Sequence, residues 1–114
     1  MKIKEYQEKS IRTMPKEYEP QYDVFKTLQI CNMIFGLEGE AGEVTDILKK
    51  HLFHGHELDK KHLKEELGDI MFYLVNLVTL YNIDMSDVLE INVDKLLKRY
   101  PQGFDKEKSI YRES

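Results

Sequence analysis

The sequence has little of what builds disulfide frameworks or membrane spans. Its single cysteine, Cys31, excludes an internal disulfide, and its place in an apolar helical run predicts a buried, unreactive thiol. No segment approaches the roughly 18 consecutive apolar residues that a membrane span needs, and no basic opening stretch leads into an apolar run. We therefore expect a cytoplasmic protein without a membrane partner.

Positive charge is also scarce, because 17 basic residues stand against 21 acidic ones and the formal net charge is -4. Proteins that bind nucleic-acid polymers usually carry a basic face, so we expect no such partner. An acidic protein can still bind a phosphorylated small molecule when a metal cation lies between the negative charges. The 41% hydrophobic and 33% charged residues are typical of a globular helical protein.

Apolar residues recur at helical spacing and no run alternates with period two, which predicts an all-α bundle of four or five helices. We expect a first helix over residues 2–14, a connector between Pro15 and Pro20, and a second helix over residues 21–52. Glycines predict a break or kink near residues 35–37. The core positions expected on the second helix are Val24, Phe25, Leu28, Cys31, Phe35, Leu37, Ala41, Val44 and Leu48.

Turn and capping residues predict the remaining helices. Asp59 is expected to cap a third helix, and Ser86 a fourth that ends at residues 101–103. The length of 114 residues favours a single domain over the whole chain. Its core should span about residues 5–104, followed by a charged tail over residues 105–114.

Four acidic residues form two pairs that carry the candidate chemistry. Glu40 and Glu43 lie three residues apart, as do Glu66 and Asp69, so each pair shares one helix face. Both pairs border apolar stripes, where clustered carboxylates would repel each other unless a cation lay among them. Oxygen ligands suit Mg²⁺ or Mn²⁺. The alternative is a solvated acidic face, since a single E-x-x-E is common on surface helices.

Three runs of the sequence resemble the MazG-type nucleoside triphosphate pyrophosphohydrolases: G-L-E-G-E-A-G-E-V-T-D-I-L-K-K, E-E-L-G-D-I-M-F-Y-L and N-V-D-K-L-L-K-R-Y-P. The resemblance covers about residues 5–104. Members of this all-α superfamily, which includes dimeric dUTPases and phosphoribosyl-ATP pyrophosphohydrolase, carry E-x-x-E followed by E-x-x-D. Glu40 and Glu43 match the first motif, and Glu66 and Asp69 match the second.

The resemblance implies Mg²⁺-dependent hydrolysis of a nucleoside triphosphate to a monophosphate and pyrophosphate, with Mn²⁺ as a possible substitute. The four acids would hold metal, and Glu40 or Glu43 would accept the proton of the attacking water. Asn92 matches the family's N-x-x-K pattern of ligand contacts, and the first helix together with the Phe72/Tyr73 region would help to stack the base. The candidate phosphate partners are Lys49, Lys50, Lys95 and Arg99.

A homodimer or a dimer of dimers is expected, because a small bundle buries limited apolar surface and this chain carries aromatics beyond one narrow core. The resemblance implies the same assembly, because MazG-like domains pair their bundles and can build nucleotide pockets from both chains. Phe72 and Tyr73 point about 100° apart on their helix, so one of them can face away from the subunit core.

Four other interpretations bear on these residues, and ligand spacing argues against the first two. Zinc would need a recognised ligand spacing, which His51, His54, His56 and His62 do not show, and a di-iron bundle would need Glu-x-x-His pairs that are absent. A non-catalytic helical regulatory protein would keep the fold without turnover. A dUTPase or phosphoribosyl-ATP pyrophosphohydrolase of the same superfamily would share the acids, so the preferred base and sugar stay open.

Overall fold

The structure is a computed structural model that describes residues 1–112. Within that range it contains α-helices, one 3₁₀ turn and no named strand, which confirms the prediction of an all-α protein with four or five helices. The helices are α1 (Ile3–Ser10), α2 (Val24–Phe53), α3 (Lys60–Leu80), α4 (Met85–Arg99) and α5 (Lys106–Ile110). The 3₁₀ turn, Ile11–Thr13, extends α1 towards the predicted end at residue 14.

Aspartate side chains cap the beginnings of the three long helices. Asp23 and Asp59 each accept a hydrogen bond from the backbone N–H three residues later, at 2.8 and 3.0 Å. The cap predicted at Asp59 is therefore confirmed. The cap predicted at Ser86 is wrong, because Asp84 precedes the helix in an extended conformation and accepts both the N–H and the hydroxyl of Ser86.

The second helix differs from its prediction in two ways. It begins at Val24 rather than residue 21, and it continues without interruption through residues 35–37, so the predicted break is wrong, whereas a kink there stays a prediction. The glycines inside it keep helical backbone angles, because the positive φ values among glycines occur at Gly55 and Gly103, outside the helices. Packing against α3 stabilises α2 more than its glycines weaken it.

The main packing in the described chain is an antiparallel pair formed by α2 and α3. Their outer ends meet where the Tyr22 ring, just before α2, lies edge-on to the Tyr81 ring, just after α3, with centroids 6.1 Å apart. The loop that joins the helices turns at Gly55, whose φ of 74° is left-handed and favours glycine. This pair is the scaffold for the candidate site.

The apolar residues outside the α2–α3 contact are largely uncovered in a single chain. Ile30 is the one buried hydrophobic residue of the described range, and Cys31 is half-buried rather than buried as predicted. The predicted core positions Val24, Phe25, Leu28 and Phe35 are exposed, because no part of residues 1–112 packs over that side of α2. Helix α4 is exposed from residue 86 to residue 98.

The dimensions agree with this open arrangement. The radius of gyration is 20.2 Å, whereas a compact domain of about 100 residues has about 13 Å. The segment predicted to be a charged tail contains the short helix α5, capped by Asp105, and its residues 113–114 lie outside the described residues. No helix within residues 1–112 combines the length and hydropathy needed to cross a membrane.

A candidate metal centre between two antiparallel helices

The α2–α3 pair brings three of the four predicted acids together. Glu40 on α2 faces Glu66 and Asp69 on α3, and one carboxylate oxygen from each lies within 4.8 Å of the other two. The three-residue spacing of Glu66 and Asp69 places both on the α3 face that meets α2. Glu40 and Glu66 are half-buried and Asp69 is exposed, so the group opens to solvent on one side.

The proximity of the acids changes the chemistry of Glu40. A hydrogen bond with Glu66 raises the pKa of Glu40 to about 7, and burial and the charges of Glu66, Asp69 and Glu43 act in the same direction. The second Glu40 oxygen, Oε2, is shielded from solvent and has no hydrogen-bond partner within residues 1–112. In the absence of a cation, the glutamate pair is therefore about half protonated near pH 7.

These residues fit a hard divalent cation. Three carboxylates offer oxygen ligands within a few ångströms, and the unpaired Oε2 of Glu40 is a buried acceptor that a cation would satisfy. Among the described residues, no histidine or cysteine joins a group of three potential ligands. The donor set therefore suits Mg²⁺ or Mn²⁺ better than zinc.

Glu43 lies outside this close group. It follows Glu40 by one turn of α2, its side chain is exposed, and its charge contributes to the raised pKa of Glu40. The four acids predicted to converge are therefore arranged as three facing carboxylates with Glu43 at the rim. This position leaves the Glu43 carboxylate accessible to solvent.

His62 is a neighbour of the site that the sequence analysis considered only for zinc. Its Nε2 lies 3.2 Å from Oε1 of Glu66, one turn further along α3. The Glu66 side chain is only 15% exposed to solvent. The i,i+4 spacing of His62 and Glu66 was the available signal, since such pairs meet on a helix surface. Carboxylates that bind metal are commonly oriented by a second hydrogen-bonding group of this kind.

The two predicted phosphate partners on α2, Lys49 and Lys50, lie away from the acidic group. Lys50 forms an ion pair with Asp46, with Nζ 2.8 Å from Oδ2, on the solvent-facing side of the helix. This pair raises the pKa of Lys50 and lowers that of Asp46. Lys49 is exposed. Neither lysine lies in the group of converging acids.

The predicted partners on α4 lie on a helix that does not pack along α2. Asn92 and Lys95 are exposed, and Arg99 is half-buried near the end of the helix. Lys95 and Arg99 line a cleft of about 700 Å³ between α4 and α5. The other residues that line it are Lys98, Glu107, Lys108, Tyr111 and Arg112. Within one chain, these basic side chains therefore cluster in a cleft that α2 and α3 do not line.

Tyr73, predicted to stack a base, lies half-buried against the backbone of α2 at Gly36. Its ring is edge-on to the ring of Phe72, with centroids 5.2 Å apart. Phe72 is 56% exposed and presents the freer aromatic surface. The stacking role of Tyr73 stays a prediction.

Comparison with known proteins agrees with the resemblance drawn from the motifs. Residues 29–104 match the family model described as the MazG nucleotide pyrophosphohydrolase domain, and all four acids lie inside that span. The chain belongs to the MazG family. No solved structure matches this MazG-family chain.

The relatives of this MazG-family chain include a phage protein and mammalian enzymes. It is 35% identical over 72 residues to the Gene 37 protein of Mycobacterium phage L5, covering 60% of this chain and 63% of the phage protein. It is 28% identical over 97 residues to dCTP pyrophosphatase 1 of Mus musculus and 29% identical to that of Bos taurus. These alignments cover 80% of this chain and 57% of each mammalian protein. The chain thus spans roughly three fifths of the length of the relatives it matches.

Proposed function

We propose that this chain is a nucleoside triphosphate pyrophosphohydrolase that uses Mg²⁺, with Mn²⁺ as a substitute. The observation that supports it best is the convergence of Glu40, Glu66 and Asp69 from two antiparallel helices. The family match and the resemblance of the acidic motifs support the same reaction. The products would be a nucleoside monophosphate and pyrophosphate.

Each side chain of the site has a separate role in the proposed reaction. Glu40, Glu66 and Asp69 would hold the divalent cation, which would supply Lewis-acid activation of the phosphoryl oxygens and of water. Glu43, exposed at the rim, accepts the proton of the attacking water. His62 orients the Glu66 carboxylate from 3.2 Å away.

Deoxynucleoside triphosphates are the first substrates to test. Mammalian relatives at 28–29% identity are named dCTP pyrophosphatase 1, so dCTP heads the proposed panel. Canonical and damaged nucleotides, dUTP and phosphoribosyl-ATP complete it, because base selectivity depends on the pocket rather than on the acids. We propose that the whole chain acts as one domain in this reaction.

We also propose that the working unit is a homodimer or a dimer of dimers. The radius of gyration of 20.2 Å and the exposed apolar residues of α4 leave a large surface for a second copy to cover. Lys95 and Arg99, on the same exposed helix, would then reach phosphates bound at the acids of the other copy, whereas in their own chain α4 does not pack along α2.

The nucleotide panel, incubated with Mg²⁺ and read out as monophosphate and pyrophosphate, tests the reaction. Glu66→Gln should lose both Mn²⁺ binding and turnover. Glu43→Gln should keep Mn²⁺ binding but lower kcat by about 10²–10⁴-fold, as expected on removing a general base. Glu65→Gln is the matched control, because Glu65 is exposed and points about 100° away from Glu66.

Two results would contradict the proposal. Release of a nucleoside diphosphate and orthophosphate would place cleavage at a different phosphoanhydride bond. Absence of hydrolysis for every nucleotide in the presence of Mg²⁺ would favour the non-catalytic regulatory protein instead. Equal activity of Glu66→Gln and Glu65→Gln would show that the acidic group is not the active site.

A further inference from the structure

The ring of Tyr73 on α3 lies directly on the backbone of α2 at Gly36. A Cβ placed on Gly36 would lie 2.5 Å from Cδ1 of Tyr73 and closer still to Cε1 and Cζ. Carbon atoms that are not bonded normally stay about 3.5 Å or more apart. Any side chain at residue 36 would therefore displace the ring or push the two helices apart.

The other helical glycines near the acids do not share this property. A Cβ added to Gly39 or Gly42 on α2, or to Gly68 on α3, meets no heavy atom within 4 Å. The close approach of the two helices therefore uses the missing side chain of Gly36 in particular. This contrast also supplies a matched control on the same helix.

The contact lies one turn away from the acidic group on both helices. Gly36 precedes Glu40 by four residues, and Tyr73 follows Asp69 by four residues. Four residues correspond to about 6 Å along a helix axis and return to nearly the same face. Because each helix moves as a rigid rod, a shift of Tyr73 relative to Gly36 would move Glu66 and Asp69 relative to Glu40 by the same distance.

Apart from this contact, α2 and α3 pack through apolar side chains that are only half-buried, such as Val44, Ile70 and Leu74. Ile30 is the one buried hydrophobic residue of the range, and the three facing carboxylates repel one another. An aromatic ring in a notch that only glycine leaves open resists sliding in either direction.

We infer that Tyr73, seated on Gly36, is a positioning residue that holds α2 and α3 in the register at which Glu40, Glu66 and Asp69 share one divalent cation. The inference rests on the proposed metal-dependent function. It gives Tyr73 a role that does not require contact with the base. It also assigns Gly36 a purpose that the acidic motif itself does not explain.

Titration of the purified, nucleotide-free protein with Mn²⁺, followed by the electron paramagnetic resonance of the free ion, tests this role. Gly36→Ala should weaken Mn²⁺ binding about tenfold or more, the size of effect seen when the groups that orient metal ligands are lost. Gly39→Ala should leave the Kd within about twofold of the wild-type value. Both alanine variants gain the same helix propensity, but only the alanine at residue 36 would collide with the Tyr73 ring.

A double-mutant cycle separates positioning from general loss of structure. In a Tyr73→Leu background the ring is absent, so Gly36→Ala should change the Kd by no more than about threefold, and the two substitutions should couple. Tyr73→Phe keeps the ring and should bind Mn²⁺ like the wild type. If Gly36→Ala fails to fold by circular dichroism, Tyr73→Leu alone should still weaken Mn²⁺ binding.

Several outcomes would overturn the inference. Equal Kd values for Gly36→Ala and Gly39→Ala would refute the claim that the Tyr73 ring needs the missing side chain of Gly36. A Tyr73→Leu variant with unchanged Mn²⁺ affinity but a raised KM for nucleotide would assign Tyr73 to base stacking instead. A wild-type protein that does not bind Mn²⁺ would refute the metal centre and the positioning role together. Wild-type Mn²⁺ binding without nucleotide hydrolysis would refute only the pyrophosphohydrolase, and the Kd comparison would still decide the positioning role.

Discussion

Binding of Mg²⁺ to the metal-free protein should release a proton, and the number released should depend on pH. The raised pKa of Glu40, about 7, means that the Glu40–Glu66 pair holds a proton that a cation at the same oxygens would displace. At pH 6 the pair is about 90% protonated, so binding should release about 0.9 proton. At pH 8 it should release about 0.1 proton.

Isothermal titration calorimetry in buffers of different ionisation enthalpy measures this proton release directly. In NMR titration of the metal-free protein, the group with a pKa of about 7 should be absent from Glu40→Gln, and Glu66→Gln should lower its pKa, because the hydrogen bond with Glu66 is the largest cause of the raised pKa. Glu65→Gln is the control that keeps it. Proton release near zero at pH 6, or equal release at pH 6 and pH 8, would refute the reasoning.

The same pKa sets the sign of the stability change in metal-free protein. Unfolding returns the pKa of Glu40 from about 7 to the ordinary value of 4.5. Between pH 4.5 and pH 7 the folded chain therefore binds more protons than the unfolded chain. Stability without metal should therefore fall as pH rises from about 4.5 to about 7. Mg²⁺ should oppose this loss, because a bound cation replaces the proton.

Two further predictions concern the scaffold. Asp23→Ala should lower the free energy of unfolding by about 1 kcal/mol in urea titrations, because the N–H it caps at the start of α2 loses its partner, whereas Asp23→Asn should stay within a few tenths. Leu89→Asp, on the exposed apolar side of α4, should shift sedimentation towards the 13.6 kDa monomer, and Glu90→Gln should not. A wild-type protein that sediments as a fully active monomer would contradict the proposed assembly.

Local signals accounted for the helices and for the identity of the acids. Asp59 was recognisable as a cap because its side chain satisfies an N–H of the helix that immediately follows it. The pairing of Glu66 with Asp69 followed from helix geometry alone, since residues three apart share a face. The cap of α4 was misassigned because Asp84 and Ser86 both have capping side chains, and only the backbone conformation distinguishes them.

The sequence by itself determined the all-α class and the pairing of the candidate acids on helix faces, because periodicity and residue spacing act within one helix, and its motifs carried the resemblance to the MazG family. Only the tertiary structure decided which acids meet. The antiparallel packing of α3 on α2 selects Glu40 over Glu43 and seats Tyr73 on Gly36. These are contacts between helices, and their register depends on the fit of opposing surfaces rather than on spacing along the chain.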